Sequence, residues 1–182
     1  FSGTAMDKSM MESDMSRVCC AAAGALGKLG SPAALEPLIR ALSDRDSDVR
    51  SAAGKALGEL GNAGAVNALI TALNDDNSDV TEAVAGALVA LGVNSVPALV
   101  RALKEINWRV RSISALALGL TRDGGAVEPL IAALSDQEAE VVESAGKALT
   151  MVGRSAVLPL IRVLDGQDDA VRSIATAILG QL

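Results

Sequence analysis

Apolar residues along this chain keep a helical rhythm that polar turns interrupt at regular intervals. Between Ser47 and Gly61, residues Val49, Ala52, Ala53, Ala56, Leu57 and Leu60 recur at three- and four-residue steps. That spacing puts them on one face of a helix, which Gly61 ends. The segment from Ala65 to Leu73 has the same spacing and stops at the polar run Asn74, Asp75, Asp76, Asn77, Ser78. Pro37, Pro129 and Pro159 fall early in this second helix, where a missing N–H does least harm. Turns rich in Asp and Ser then supply N-caps for the helix that follows.

The two-helix pattern repeats about every 31 residues along the chain, with Val18, Val49, Val80, Val110, Val141 and Val171 in the first helix and Leu38, Leu69, Leu99, Leu130 and Leu160 in the second. A period of this size predicts a solenoid whose units pack only on their neighbours, and such folds serve mostly as binding surfaces. Half the residues are hydrophobic, yet there is one Trp, one Phe and no Tyr. The core is therefore expected to be Ala, Leu, Val and Ile at close helix spacing, with Gly58, Gly119 and Gly180 allowing approach.

The segments SDVRSAAGKALGELG, NWRVRSISALALGL and DDAVRSIATAILGQL, joined by LEPLIRALSD, VEPLIAALSD and VLPLIRVLDG, resemble HEAT repeats of the phycobilisome-lyase type. The resemblance covers residues 13–182 and implies an all-α, right-handed α-solenoid of HEAT-like helix pairs, about eleven helices in all. It implies one repeat domain over 13–182, with a leading inner helix from Ser16 to Leu29 followed by five helix pairs. Residues 1–12 read as an expression remnant or a degenerate leading helix. Met10 and Met11 align with Ala41 and Leu42, whereas Phe1 to Ala5 are left out of the fold argument.

Charge and residue chemistry narrow the function. The net charge of −6 and the absence of any Lys/Arg run speak against nucleic acid as the partner, and with it against HEAT-like DNA glycosylases. The uncharged stretch from Ala83 to Val100 is broken by Gly92, Asn94, Ser95 and Pro97 at an inter-helix turn, so a soluble helix pair is expected and no membrane partner. The segment MDKSMMESDMSR has no apolar core of a secretory signal, which places the chain in the cytoplasm.

Cys19 and Cys20 are adjacent on a helix, where no disulfide can close, and with no histidine they are too few for a closed zinc site. By register Cys20 points to the surface. The lack of histidine removes the commonest general base and metal ligand, and it excludes the iron site of deoxyhypusine hydroxylases, which this chain resembles in being HEAT-like. Glycines such as Gly24, Gly27 and Gly30 fall at repeat spacing with no Gly-Lys-Ser/Thr, so they read as packing rather than a phosphate loop. Carboxylate pairs Asp75/Asp76 and Asp168/Asp169 lie in turns, as caps. No catalytic residue, metal ligand or cofactor is assigned.

Within the resemblance, the Arg after the repeated Val, here Arg50, Arg111 and Arg172, is expected to form a structural ladder with turn carboxylates, Asp44, Asp136 and Asp165 being the acceptors. Cys19, Thr81 and Val142 take its place in the other repeats. Arg40, Arg101 and Arg162 read as solvated charge on the convex side.

The helix that starts Val-Arg should line the inner, concave surface. Its solvent positions are Ser47, Ser51, Lys55 and Glu59 in one repeat, then Glu82, Gly86 and Ala90, then Trp108, Ser112, Leu116 and Leu120, then Glu143, Lys147 and Met151, then Asp169, Ser173, Ala177 and Gln181. Leu116, Leu120, Ala90 and Met151 thus form an apolar centre ringed by Lys55, Glu59, Glu82, Glu143 and Lys147, the anatomy of a site for another protein or peptide. Trp108 alternatively packs over its turn. Leu116 and Leu120 alternatively sit in a tighter local core or in a homodimer. The hydrophobic end of the last helix, with Ile174, Ile178, Leu179 and Leu182, points to self-association there.

Two functions follow. The first is a non-catalytic scaffold or adaptor holding a partner in its groove. The second, implied by the resemblance, is a bilin lyase or isomerase subunit acting on a phycobiliprotein chromophore, with Lys55 or Lys147 beside a propionate.

Overall fold

The computed structural model describes residues 3–182, with side chains from Met10 onward. Phe1 and Ser2 lie outside the described residues. The described residues form eleven α-helices: α1 (Gly3–Leu29), α2 (Leu35–Ala41), α3 (Ser47–Leu60), α4 (Val66–Ala72), α5 (Ser78–Ala90), α6 (Val96–Ala102), α7 (Trp108–Thr121), α8 (Val127–Ala133), α9 (Ala139–Val152), α10 (Val157–Val163) and α11 (Asp169–Leu179). The odd-numbered helices are the ones expected from the sequence to line the inner surface, and they are called inner helices below, the even-numbered ones outer helices. The helices gather into two compact units, one ending at Leu91 and one running from Gly92 to Leu182.

The caps follow the sequence pattern. Asp46, Asn77, Asn107 and Asp168 stand in extended backbone before α3, α5, α7 and α11, and their side chains accept the first free helical N–H groups. Glu138 precedes α9 and makes no such bond. The turns after α1, α3, α5, α7 and α9 pass through a residue of positive φ, a glycine at Gly30, Gly61, Gly92 and Gly153, and Arg122 after α7.

The core of each unit is the predicted aliphatic set. Val49, Ala53, Leu57, Leu69, Val84 and Leu88 are buried in the first unit, and Leu99, Leu118, Leu130, Ala145, Leu149 and Leu160 in the second. Inner helices touch at a glycine–alanine contact. A methyl group added at Gly27 would lie 2.8 Å from the Ala56 Cα, and one at Gly58 would lie 2.8 Å from the Ala87 Cα. One at Gly119 would lie 2.5 Å from the Ala148 Cα. Only glycine permits backbones to come this close.

One expectation changes at the start of the chain. Helix α1 is continuous from Gly3 to Leu29, with no turn ahead of Ser16. Met10 and Met11 are therefore exposed positions on α1 and do not form an outer helix aligned with Ala41 and Leu42.

Candidate functional site

In the first unit, the expected inner-face residues Lys55 and Glu59 of α3 and Glu82 and Ala90 of α5 are all exposed. Ser51, expected on this face, is instead buried and donates to the Asp79 carbonyl at 3.2 Å, tying α3 to α5. A shallow groove of about 780 Å³ runs between these helices, floored by Ala52, Ala83 and Gly86 and bordered by Lys55, Glu59 and Glu82. Cys20 also lines it, half-buried rather than fully at the surface. Burial is the main cause that raises its thiol pKa, so the reactive thiolate is disfavoured.

In the second unit, Trp108, Leu120 and Met151 are exposed by 37%, 55% and 38%, a large apolar display for inner helices. Leu116 is half-buried, so of the two leucines only Leu120 stands fully available. Trp108 carries the Arg109 guanidinium over its ring at 5.7 Å. The Ser112 and Ser144 hydroxyls bond at 2.8 Å and tie α7 to α9. On α9, in the two turns before Met151, Glu143 and Lys147 form an exposed ion pair at 2.6 Å, and this lysine holds the Glu143 carboxyl below its usual range.

A second groove, about 750 Å³, opens between α9 and α11, lined by Val142, Gly146, Ile174, Ala177 and Ile178. In the register where Gly58 meets Ala87 and Gly119 meets Ala148, this pair of helices carries Thr150 and Ile178 instead. The sequence pattern marks Ile174 and Ile178 only as an association surface. Ile178 is buried, 3.8 Å from where a Gly146 methyl would stand, so it is not a free contact.

Of the three acceptors expected for the arginine ladder, Asp136 takes Arg111, whereas the carboxylates of Asp44 and Asp165 take no part. Arg50 donates from Nε and Nη2 to Asp75 at 2.6 and 2.9 Å, and from Nη1 to the carbonyls of Asp44 and Arg45. Asp44 thus offers its backbone, and the carboxylate comes from the following turn. Arg111 does the same, gripping Asp136 at 2.7 and 2.8 Å and the carbonyls of Glu105 and Ile106. Arg172 reaches the Gly166 carbonyl at 2.7 Å and pairs with Asp169 of its own helix rather than Asp165. The physical reason is reach: a guanidinium on the first turn spans two successive turns, bridging the one before its helix to the one after its outer partner. Arg40, Arg101 and Arg162 are exposed, as expected for solvated charge.

The Arg50 and Arg111 bonds hold the Asp75 and Asp136 carboxyls below the usual 3.8 and raise the two guanidiniums. A carboxyl whose folded pKa is depressed adds stability above its unfolded value and loses it as pH falls through the folded value. The melting temperature should therefore fall as pH drops below about 4, and an Asp75→Asn, Asp136→Asn double variant should show a shallower fall. Parallel melting curves across the acid range check this.

Among the described residues, no group of His, Cys, Asp and Glu is arranged to hold a metal ion, and no helix is long and apolar enough to cross a membrane.

The model of HEAT repeats matches residues 8–92, 37–118 and 96–180. The chain belongs to the HEAT-repeat family. This HEAT-repeat protein is matched by no curated protein sequence. Among solved structures it is similar to one described as the structural basis of microtubule plus-end tracking by XMAP215, CLIP-170 and EB1. That likeness has 18% identity, a TM-score of 0.64 and coverage of 82% of this chain and 74% of the other. It is also similar to a designed armadillo repeat protein in complex with the peptide (KR)4, at 20% identity and a TM-score of 0.48, covering 93% and 92%. A third likeness is to the complex of CpcE and CpcF of phycocyanin lyase from Nostoc sp., at 26% identity and a TM-score of 0.43, covering 90% and 73%. The first supports the all-helical repeat fold. The other two carry no further argument, and the narrower phycobilisome-lyase family is not established by them.

Proposed function

We propose that this HEAT-repeat chain is a non-catalytic scaffold that holds a partner protein or peptide against the inner helices of its second unit. The observation that carries this reading is the exposure of Trp108, Leu120 and Met151 on α7 and α9 beside the Glu143–Lys147 pair. Apolar side chains left in water next to a polar border are what a partner covers. Covering the part of Leu120 and Met151 that still faces water would contribute about 1 kcal/mol each, because both are already partly covered. A Leu120→Glu, Met151→Glu variant should keep its helicity and melting, because both residues are exposed, and should release proteins that the parent chain retains in a pull-down read by mass spectrometry. Equal retention by both chains would sink the reading.

The bilin-lyase alternative follows from the family resemblance alone. Of the two lysines it would use for a propionate, Lys147 is already paired with Glu143. A shifted visible band on mixing the chain with a linear tetrapyrrole would favour that alternative instead.

A further inference from the structure

The turns that follow α7 and α9 both break a pattern kept by the other turns. Twelve residues after the repeated Val, the backbone takes a positive φ at Gly30, Gly61, Gly92 and Gly153, and in the same register Arg122 does so with φ 53. A side chain is strained there because its Cβ crowds the carbonyl that follows, a cost glycine avoids. One residue further on, Asn62 and Asp123 accept the N–H groups of Gly64 and Gly125 at 2.9 and 2.7 Å. Arg154 holds that register after α9, and a guanidinium can only donate. Local structure thus gives up a glycine at one turn and an acceptor at the other, each time for an arginine.

These two turns adjoin the exposed apolar residues of the second unit. Leu120 comes two positions before Arg122, Met151 three before Arg154, and both fall in the register where Lys28, Glu59 and Gln181 are polar. Gly119 meets Ala148 at the close contact of α7 with α9, so the ends of the two helices lie side by side. Arg122 and Arg154 are exposed, and neither enters an ion pair among the described residues. The acids nearest in sequence are engaged, Glu143 by Lys147 and Asp123 by the Gly125 N–H. The unmatched charge at this end is therefore positive, on a chain whose net charge is −6.

We propose that the partner segment is acidic as well as apolar, setting aliphatic side chains on Leu120 and Met151 and carboxylates against Arg122 and Arg154. This rests on the scaffold function of the second unit and names the chemistry of its partner. Strain kept at an exposed residue marks a functional contact, since nothing in the fold repays it. Two cations without an internal acid, beside an apolar pair, select a negative partner. The net charge of the chain repels such a segment at a distance, and the arginines supply the local attraction that admits it.

Selection of displayed random short peptides on the full chain, followed by fluorescence polarisation of the labelled winners, tests this. Enriched peptides should combine aliphatic residues with an excess of Asp and Glu, and Leu120→Glu should release them. An Arg122→Gly, Arg154→Asn variant should bind the same peptides about tenfold more weakly. Added salt should narrow that difference. The same variant should melt about 2–4 °C above the parent, because it restores the residue types of the other turns. Binding lost while stability is gained separates a partner contact from a structural role. Peptides that need Leu120 but carry no acidic excess, or that bind the arginine variant as tightly as the parent, overturn the proposal and leave the scaffold function standing. A selection that yields no peptide released by Leu120→Glu overturns both. Phosphatidylserine vesicles bound through the two arginines, where no peptide binds, would assign this end to a membrane and overturn the proposal. A variant that melts below the parent would make the arginines structural, which overturns it as well.

Discussion

A Gly119→Ala variant should lose about 2–3 kcal/mol of unfolding free energy, although alanine is the better helix former by about 1 kcal/mol. The added methyl would stand 2.5 Å from the Cα of Ala148 and 2.8 Å from its Cβ. Backbone cannot rotate away as a flexible side chain can, so α7 and α9 must separate. Separation strips packing from Leu118 and Leu149, both fully buried, and stretches the bond between the Ser112 and Ser144 hydroxyls. Gly86→Ala makes the opposite case. It lies within α5 with nothing within 4 Å of the added methyl, and it should gain about 0.5–1 kcal/mol from backbone entropy. Urea unfolding with matched slopes checks both signs. A Gly119→Ala chain as stable as the parent would show that the glycine–alanine register does not govern helix separation.

An Asp136→Ala variant should cost about 2–3 kcal/mol, near the top of the range for a hydrogen bond to a charged group. Arg111 and Asp136 are 14% and 13% exposed, so removing the carboxylate leaves a largely buried guanidinium with only the two carbonyls of the preceding turn. Asp136 also accepts the Glu138 N–H at 3.0 Å, which organises the turn before α9, a helix without a side-chain cap. Losing both together exceeds the loss of a simple surface pair. Asp169→Ala offers the contrast: its carboxylate is 87% exposed, and removal should change stability little. A double-mutant cycle of Arg111→Met with Asp136→Ala, read by denaturant unfolding, separates the pair from the turn. Additive losses would show that the bidentate bond contributes nothing of its own.

Much of this molecule is legible along the chain because a helix records its environment locally. Val49, Ala53 and Leu57 announce a buried face by spacing alone, and Asp46, Asn77 and Asp168 announce helix starts because a cap acts within three residues. Leu120 and Met151 were recognisable as exposed apolar positions for the same reason: the four-residue step that buries one face of an inner helix turns the opposite face outward. Leu116 was not, since its half-burial depends on what lies beside α7 rather than on its own helix.

The sequence by itself determined the helix pairs, their caps, the aliphatic core and the repeat family, all of which rest on periodicity and on interactions a few residues long. Packing was needed to show that Arg50 takes the Asp75 carboxylate in place of that of Asp44, and that a groove lies between α9 and α11. These outcomes turn on the reach of a guanidinium and on the summed volumes of side chains about thirty residues apart, and such distances exist only once the helices have packed.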